Sequence, residues 1–248
     1  MIALDLIGIG TGNPEHVTLA AIRAMREADL ILLPRKGDDK GDLVDLRRAI
    51  CAAHLDDLSR VREFDLPTRD GASDYLSAVN DWHEAIAQVW AQQIAAHLPQ
   101  GGRVALLVWG DPSLYDSTLR IAGRLGDGTL VPRVIPGVTS LSVLTAAHAI
   151  ALNDLAAPVV ITTGRRLRDA GWPQGADSVA VMLDAGGAFS TLDPAGIQIW
   201  WGAYLGMPHE VLIKGPLAEI GAQIVQTRAA LRARHGWIMD IYLLRRAP

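Results

Sequence analysis

Along the 248-residue chain, short fully apolar runs alternate with longer stretches in which apolar residues recur at helical spacing. Leu4 to Ile9 is the first such run. It reads as a buried strand ending in Gly8-Ile9-Gly10-Thr11-Gly12-Asn13-Pro14 and leading into a helix with Leu19, Ile22 and Met25 at three-residue steps. Asp29 to Leu33 reads as a second strand stopped by Pro34, and Asp42 to Ala53 as a helix with Leu43, Leu46 and Ile50 on one side. The longest periodic segment, Asp74 to Leu98, carries Tyr75, Val79, Trp82, Ile86, Val89, Trp90 and Ile94, a stripe suited to a core or a subunit interface. A strand at Val104–Val108, a helix around Thr118 to Leu125 and a strand at Val131–Ile135 follow. Pro136-Gly137-Val138-Thr139-Ser140 then opens a helix running to Ile150. Strands alternating with helices build a mainly parallel sheet.

Near Leu152 to Pro158 the pattern resets. Strands are expected at Val159–Thr163, Ser178–Leu183, Ile197–Trp201, Val211–Ile213 and Trp237–Leu244, with a long helix at Leu217 to Arg234. The expected organisation is therefore two α/β domains, 1–152 with a mainly parallel sheet and 153–248 with a mixed one. There is no fixed-period repeat and no low-complexity tract.

Composition narrows the partners. The chain is 50% hydrophobic and 20% charged, enough for a sizeable core, and its formal net charge of −4 argues against a nucleic-acid or anionic-membrane surface. A small-molecule partner fits better. The single Cys51 forms no internal disulfide and no multi-cysteine metal site, and reads as a buried structural residue in a reducing compartment. Met1-Ile2-Ala3-Leu4-Asp5 carries no basic leader, and no uncharged run reaches the ~20 residues of a membrane span. A soluble cytoplasmic protein is expected. Neither an HExxH metal motif nor a G-x-S-x-G nucleophile elbow is present, and no metal is expected.

The chemistry concentrates at three strand ends: Gly8 to Pro14, Gly110-Asp111-Pro112 directly after an apolar strand, and Pro136 to Ser140. Each carries Gly, Pro and small polar residues. On one sheet edge they form a crevice, which is where parallel sheets bind ligands. Gly8-x-Gly10-x-Gly12 is a weak dinucleotide signal, because Asn13 stands where the third glycine belongs and Pro34-Arg35-Lys36 would suit only the phosphate of NADP. His16, Tyr115, Asp116 and His209 are titratable candidates near loops, whereas His148 sits in an apolar helix and reads as structural. Arg35, Lys36, Lys40, Arg47 and Arg48 form one basic cluster, and Arg165, Arg166 and Arg168 another; either is a solvated face or a polyanion contact.

Together, Ile7 to Leu19, Gly110-Asp111-Pro112 with Tyr115, and Pro136 to Ser140 resemble the tetrapyrrole methylases in order and spacing over essentially the whole chain. The resemblance implies two α/β domains with S-adenosylmethionine bound in folded form in a cleft and released as S-adenosylhomocysteine. Carried over by position, its contacts would come from Trp109, Gly110, Asp111, Leu114, Thr139 and Ser140, and from Leu183, Ala203, Gly215 and Pro216 in the second domain. The glycine loop, with Gly10, Thr11, Gly12 and Asn13, would face the tetrapyrrole. The family loop usually reads Gly-x-Gly-Pro-Gly-Asp-Pro; here Thr11 replaces the Pro and Asn13 the Asp, so an acid role for that Asp is not carried over. Homodimers are general in the family, and the Tyr75–Ile94 stripe offers a surface for pairing.

Leu33 to Leu43, the Trp-rich helix and Trp109 are most similar to the deacetylating branch, which implies methylation of precorrin-5 at carbon 1 with release of acetate in aerobic cobalamin synthesis. Tyr115, Asp116 and His16 are then the candidates to direct the water, and Arg35, Lys36 and Arg165 to hold substrate carboxylates. Three alternatives stand beside this: another precorrin or uroporphyrinogen methyltransferase, an NADP-dependent reductase, and a non-catalytic binding protein on the same scaffold.

Overall fold

The computed structural model describes residues 1–35, 41–68, 75–125 and 130–246. The chain divides into two compact units, Met1–Thr139 and Ser140–Pro248, so the helix that starts at Ser140 counts with the second.

The first unit contains β1 (Ile2–Gly8), α1 (Leu19–Glu27), β2 (Leu30–Arg35), α2 (Gly41–His54), β3 (Val61–Asp65), α3 (Tyr75–His97), β4 (Gly102–Val108), α4 (Thr118–Ala122) and β5 (Arg133–Ile135). Its five strands are all parallel, in the order β3-β2-β4-β1-β5. Successive side chains leave a strand on opposite faces, so a sheet covered on both sides needs unbroken apolar runs. That is how the runs divide. Ile7, Ile31, Leu33, Ala105 and Leu107 pack with Ala21 and Met25 of α1 and Ile50 of α2. Leu4, Leu6, Leu30, Leu32, Val104 and Leu106 pack on the other face with Ile86, Trp90 and Ile94 of α3. Each fully buried Leu, Ile, Val or Met among them contributes roughly 1.5–3 kcal/mol. The α3 stripe is thus largely taken up by the core of its own unit, with Trp82 half-buried and donating from Nε1 to the Pro67 carbonyl at 2.6 Å.

Two local readings differ from expectation. β2 does not stop at Pro34 but runs through it to Arg35. The Ile31 N–H and the Arg35 carbonyl face β3, so the Pro34 nitrogen faces the β4 side, where the ladder has already ended at Leu32 opposite Leu106. A missing donor costs nothing there. β3 itself was not expected, since only Phe64 of its residues is fully buried.

The second unit contains α5 (Ser140–His148), β6 (Val159–Thr163), α6 (Gly164–Ala170), β7 (Ser178–Met182), β8 (Ile197–Ala203), β9 (Val211–Pro216), α7 (Leu217–His235) and β10 (Asp240–Arg246). Its sheet is mixed, ordered β6-β7-β10-β8-β9, with β6 and β7 parallel and the other pairs antiparallel. His148 is buried and donates from Nε2 to the Trp201 carbonyl at 3.0 Å, a structural role as expected. Among the described residues, no helix is long and apolar enough to cross a membrane.

Candidate active site

The three glycine turns meet. β4, β1 and β5 are neighbours, and their C-terminal ends release Gly110, Gly10 and Gly137 onto one edge of the first sheet. The chain passes from β1 to β2 on one side and from β4 to β5 on the other, which makes the β4–β1 boundary the topological switch point where such sheets bind ligands. Gly110 donates to the Gly10 carbonyl at 2.8 Å, and Ile9 to the Val108 carbonyl at 2.9 Å.

Glycine is required here for two different reasons. A Cβ on Gly137 would lie 2.0 Å from the Gly110 carbonyl oxygen, and one on Gly8 2.6 Å from the Gly137 nitrogen, so these turns pack backbone against backbone. Gly110 has φ +61°, yet a Cβ there would find only the Thr139 Cα, 4.0 Å away. The backbone at Gly110 therefore borders open space at the switch point, a cradle that a side chain would fill.

Asp111 holds the cradle together. Its Oδ2 accepts from the Gly137 N–H at 3.0 Å, and its Oδ1 accepts from the Ser113 N–H at 2.8 Å and from the Ser113 hydroxyl. Burial pushes the carboxyl pKa up, but these hydrogen bonds outweigh it and leave it below the usual range. Leu114 follows, its N–H on the Asp111 carbonyl at 3.2 Å.

On the glycine loop, Thr11 Oγ1 and His16 Nδ1 lie 2.9 Å apart, and Asn13 Oδ1 accepts from the Glu15 N–H at 3.0 Å, capping a single 3-10 turn at Pro14–His16. Asn13 thus has a local structural task, and Gly10 and Gly12 supply the positive φ values the loop needs. Trp109 packs against the first core with the Arg47 guanidinium 4.7 Å from its ring centroid.

Tyr115 and Asp116 line a pocket of about 320 Å³ on the other side of β4, together with Arg47, Trp82, Trp90 and Leu106; His16 is not among its walls. Tyr115 has φ +51°, and burial raises its phenol pKa. The Asp116 Oδ1 accepts from the Thr118 N–H at 2.6 Å. Arg47, read in the sequence only as part of a basic cluster, reaches inward: its Nε donates to the Leu107 carbonyl at 3.3 Å and its Nη1 to the Leu43 carbonyl at 3.4 Å.

Arg35 is engaged by Asp65 at 3.0 Å and by Glu63 at 3.9 Å, both on β3. That pairing gives Arg35 a structural partner and does not discriminate between a phosphate and a carboxylate. An exposed pair of this kind contributes only about 0–1 kcal/mol, so a substrate carboxylate can still displace it. Lys36 lies outside the described residues. In the second unit, Arg165 is exposed on α6. Val181 and Trp201 share a row across Tyr242, which brings Leu183 and Ala203, two residues further on, to the same sheet end. Gly215 and Pro216 pair with Ile199 and Gln198 and stand toward the opposite end. The register therefore groups Leu183 with Ala203 and separates Gly215 and Pro216 from them.

The family described as Tetrapyrrole (Corrin/Porphyrin) Methylases matches residues 3–221. A Sinorhizobium protein named Precorrin-6A synthase [deacetylating] is 47% identical over 247 residues, covering 97% of this chain and 94% of that protein. The crystal structure of a cobalamin-synthesis-related protein (CobF) of Corynebacterium diphtheriae superposes with a TM-score of 0.84 at 41% identity, covering 100% of both chains. The uroporphyrin-III C-methyltransferase of Thermus thermophilus, solved with S-adenosylhomocysteine, shares the fold at a TM-score of 0.62 and 18% identity, covering 98% of this chain and 97% of that one. The family match over residues 3–221 and the near-full-length relative at 47% identity lead to one assignment: this chain belongs to the tetrapyrrole methylases.

Proposed function

We propose that this chain transfers a methyl group from S-adenosylmethionine to carbon 1 of precorrin-5 and releases the ring acetyl group as acetate, giving precorrin-6A. The observation that carries the reading is the 47% identity, over nearly the full length of both chains, to a relative bearing the deacetylating synthase name.

The residues present fit the cofactor. The open space at Gly110 admits a ligand against the backbone, and Asp111, held by Gly137 and Ser113, fixes the turn that would hold it. Trp109, Leu114, Thr139 and Ser140 are the further contacts we assign to the cofactor, with Leu183 and Ala203 those from the second unit. When bound, S-adenosylmethionine supplies an already activated methyl group. The protein's task is then alignment, worth roughly 7–11 kcal/mol of the barrier when reacting atoms are held in attack geometry. Gly10, Thr11, Gly12 and Asn13 would meet the macrocycle, with Arg35, Lys36 and Arg165 on its carboxylates.

Incubation of the protein with precorrin-5 and methyl-labelled S-adenosylmethionine, read by mass spectrometry, tests this. A product that gains a methyl and loses an acetyl is expected; one that keeps its acetyl moves the chain to another methylase of the pathway. We also infer a cytoplasmic homodimer. Its cytoplasmic part rests on a single buried cysteine that needs no oxidising compartment. Pairing rests on the family alone, because the α3 stripe is largely buried within its own unit; light scattering at micromolar concentration decides it.

A further inference from the structure

The cofactor cradle leaves the pocket beyond β4 without a use, and its walls have unmatched chemistry. Arg47 makes no ion pair among the described residues. Two of its nitrogens donate to the Leu107 and Leu43 carbonyls through long bonds, and Nη2 has no hydrogen-bond partner among the described residues. Burial lowers its pKa to about 10 against the opposing pull of Asp116, so the cation sits where solvation is poor. Asp116 uses Oδ1 for the Thr118 N–H and leaves Oδ2 without a partner among the described residues. Ser117 and Thr118 add hydroxyls to the lining, and Trp82, Trp90 and Leu106 give it apolar surface, with the buried Trp90 Nε1 lacking a hydrogen-bond partner among the described residues.

An anionic ligand would be attracted by Arg47 and repelled by Asp116. A neutral carbonyl suits both: the guanidinium polarises its oxygen, and the carboxylate takes a proton from water attacking its carbon. A water molecule occupies about 30 Å³, so about 320 Å³ holds a two-carbon acyl group, its attacking water and part of the ring edge.

We propose that this pocket receives the acyl group removed in the reaction, with Arg47 donating to the acyl oxygen and Asp116 accepting the proton of the attacking water. The inference rests on the methyl-transfer reading above. Methyl transfer leaves the macrocycle one positive charge higher. Water oxygen then bonds to the acyl carbon, the bond from that carbon to the ring breaks, and its electron pair passes into the ring and neutralises that charge. One water proton goes to Asp116, and the hydroxyl leaves with the acyl group as acetic acid. Atoms and charge balance with water as the sole co-reactant. Tyr115 also lines the pocket.

The test compares wild type, Asp116→Asn and Arg47→Met, with Arg47→Lys as the variant that keeps a cationic donor and is expected to restore part of the ratio. All are incubated with precorrin-5 and S-adenosylmethionine, and S-adenosylhomocysteine and acetate are counted separately. The expected result is a fall of about 100-fold or more in acetate released per S-adenosylhomocysteine formed, the size of a lost general base, with a methylated, acetyl-bearing product accumulating. A purely structural lesion lowers both counts together and leaves their ratio at the wild-type value. A wild-type ratio in Asp116→Asn, or in a folded Arg47→Met, overturns the inference while leaving methyl transfer standing. A wild type that forms no S-adenosylhomocysteine overturns the methyl-transfer reading, and this one with it.

Discussion

Gly137→Ala and Gly110→Ala stand a few residues from the same cradle and are expected to fail in opposite ways. At Gly137 the new Cβ would sit 2.0 Å from the Gly110 carbonyl oxygen and 2.7 Å from the Gly8 carbonyl carbon. Carbon and carbonyl oxygen normally keep about 3.3 Å, so the contact is roughly 1.3 Å short, and both neighbours are backbone. Overpacking costs about 1–3 kcal/mol where side chains can shift and more where they cannot, which sets the expected loss at about 3 kcal/mol or more. At Gly110 the new Cβ meets nothing nearer than 4.0 Å, and the cost is the φ of +61°, roughly 1–2 kcal/mol. Urea unfolding should therefore rank Gly137→Ala as clearly the less stable. Calorimetric titration with S-adenosylhomocysteine should find folded Gly110→Ala weakened by at least about tenfold, or 1.4 kcal/mol, because its methyl occupies ligand space. A Gly137→Ala protein of wild-type stability would refute the backbone contact. Full affinity in Gly110→Ala would refute the cradle.

Asp111 has a folded pKa below its unfolded value, so its contribution is present above the ordinary carboxylate range near 3.9 and is lost as pH falls through the lower folded value; Asp111→Asn should flatten that part of the acid unfolding curve. Cys51 is buried and its thiol is pushed up to about 11, which leaves about 0.1% thiolate at pH 8, so iodoacetamide should label it only after denaturation. Tyr242→Phe removes the 2.7 Å hydrogen bond to the buried Asp184 Oδ2 and should cost about 1.5–3 kcal/mol in denaturant melts. His148 is held below its ordinary pKa by burial, so the stability linked to it is complete above the unfolded value near 6.5 and declines as pH falls below it; His148→Gln should weaken that dependence.

The parallel sheet and the three turns were legible because each depends on local signals: apolar runs long enough to be covered on both faces, and glycines and prolines at their ends. β3 is not legible, because Val61-Arg62-Glu63-Phe64-Asp65 lies on a sheet edge and fully buries only Phe64, so its composition reads as surface. β3 also bears on the site. Without β3, the sequence shows Arg35 without Asp65 and Glu63, the exposed partners that a substrate carboxylate must displace. Arg47 was obscured for a related reason, since its partner carbonyl on Leu107 is 60 residues away and only the strand order brings the two together. Periodicity located the α3 stripe but could not say which surface it covers; the packing of Trp90 and Ile86 on β4 and β2 answers that.

The strand order has a consequence for how the first unit comes into being. β1 and β2 are not neighbours, because β4 lies between them and pairs with both. Until the ribosome has delivered Gly102–Val108, neither earlier strand has its central partner, and the apolar faces of β1, β2 and α3 emerge without the element that joins them. At about 5–20 residues per second, that interval lasts several seconds, long enough for holdase chaperones to engage a nascent chain. Synthesis stalled before residue 102 should leave a protease-sensitive, chaperone-bound fragment, and release of β4 should be the event that frees it.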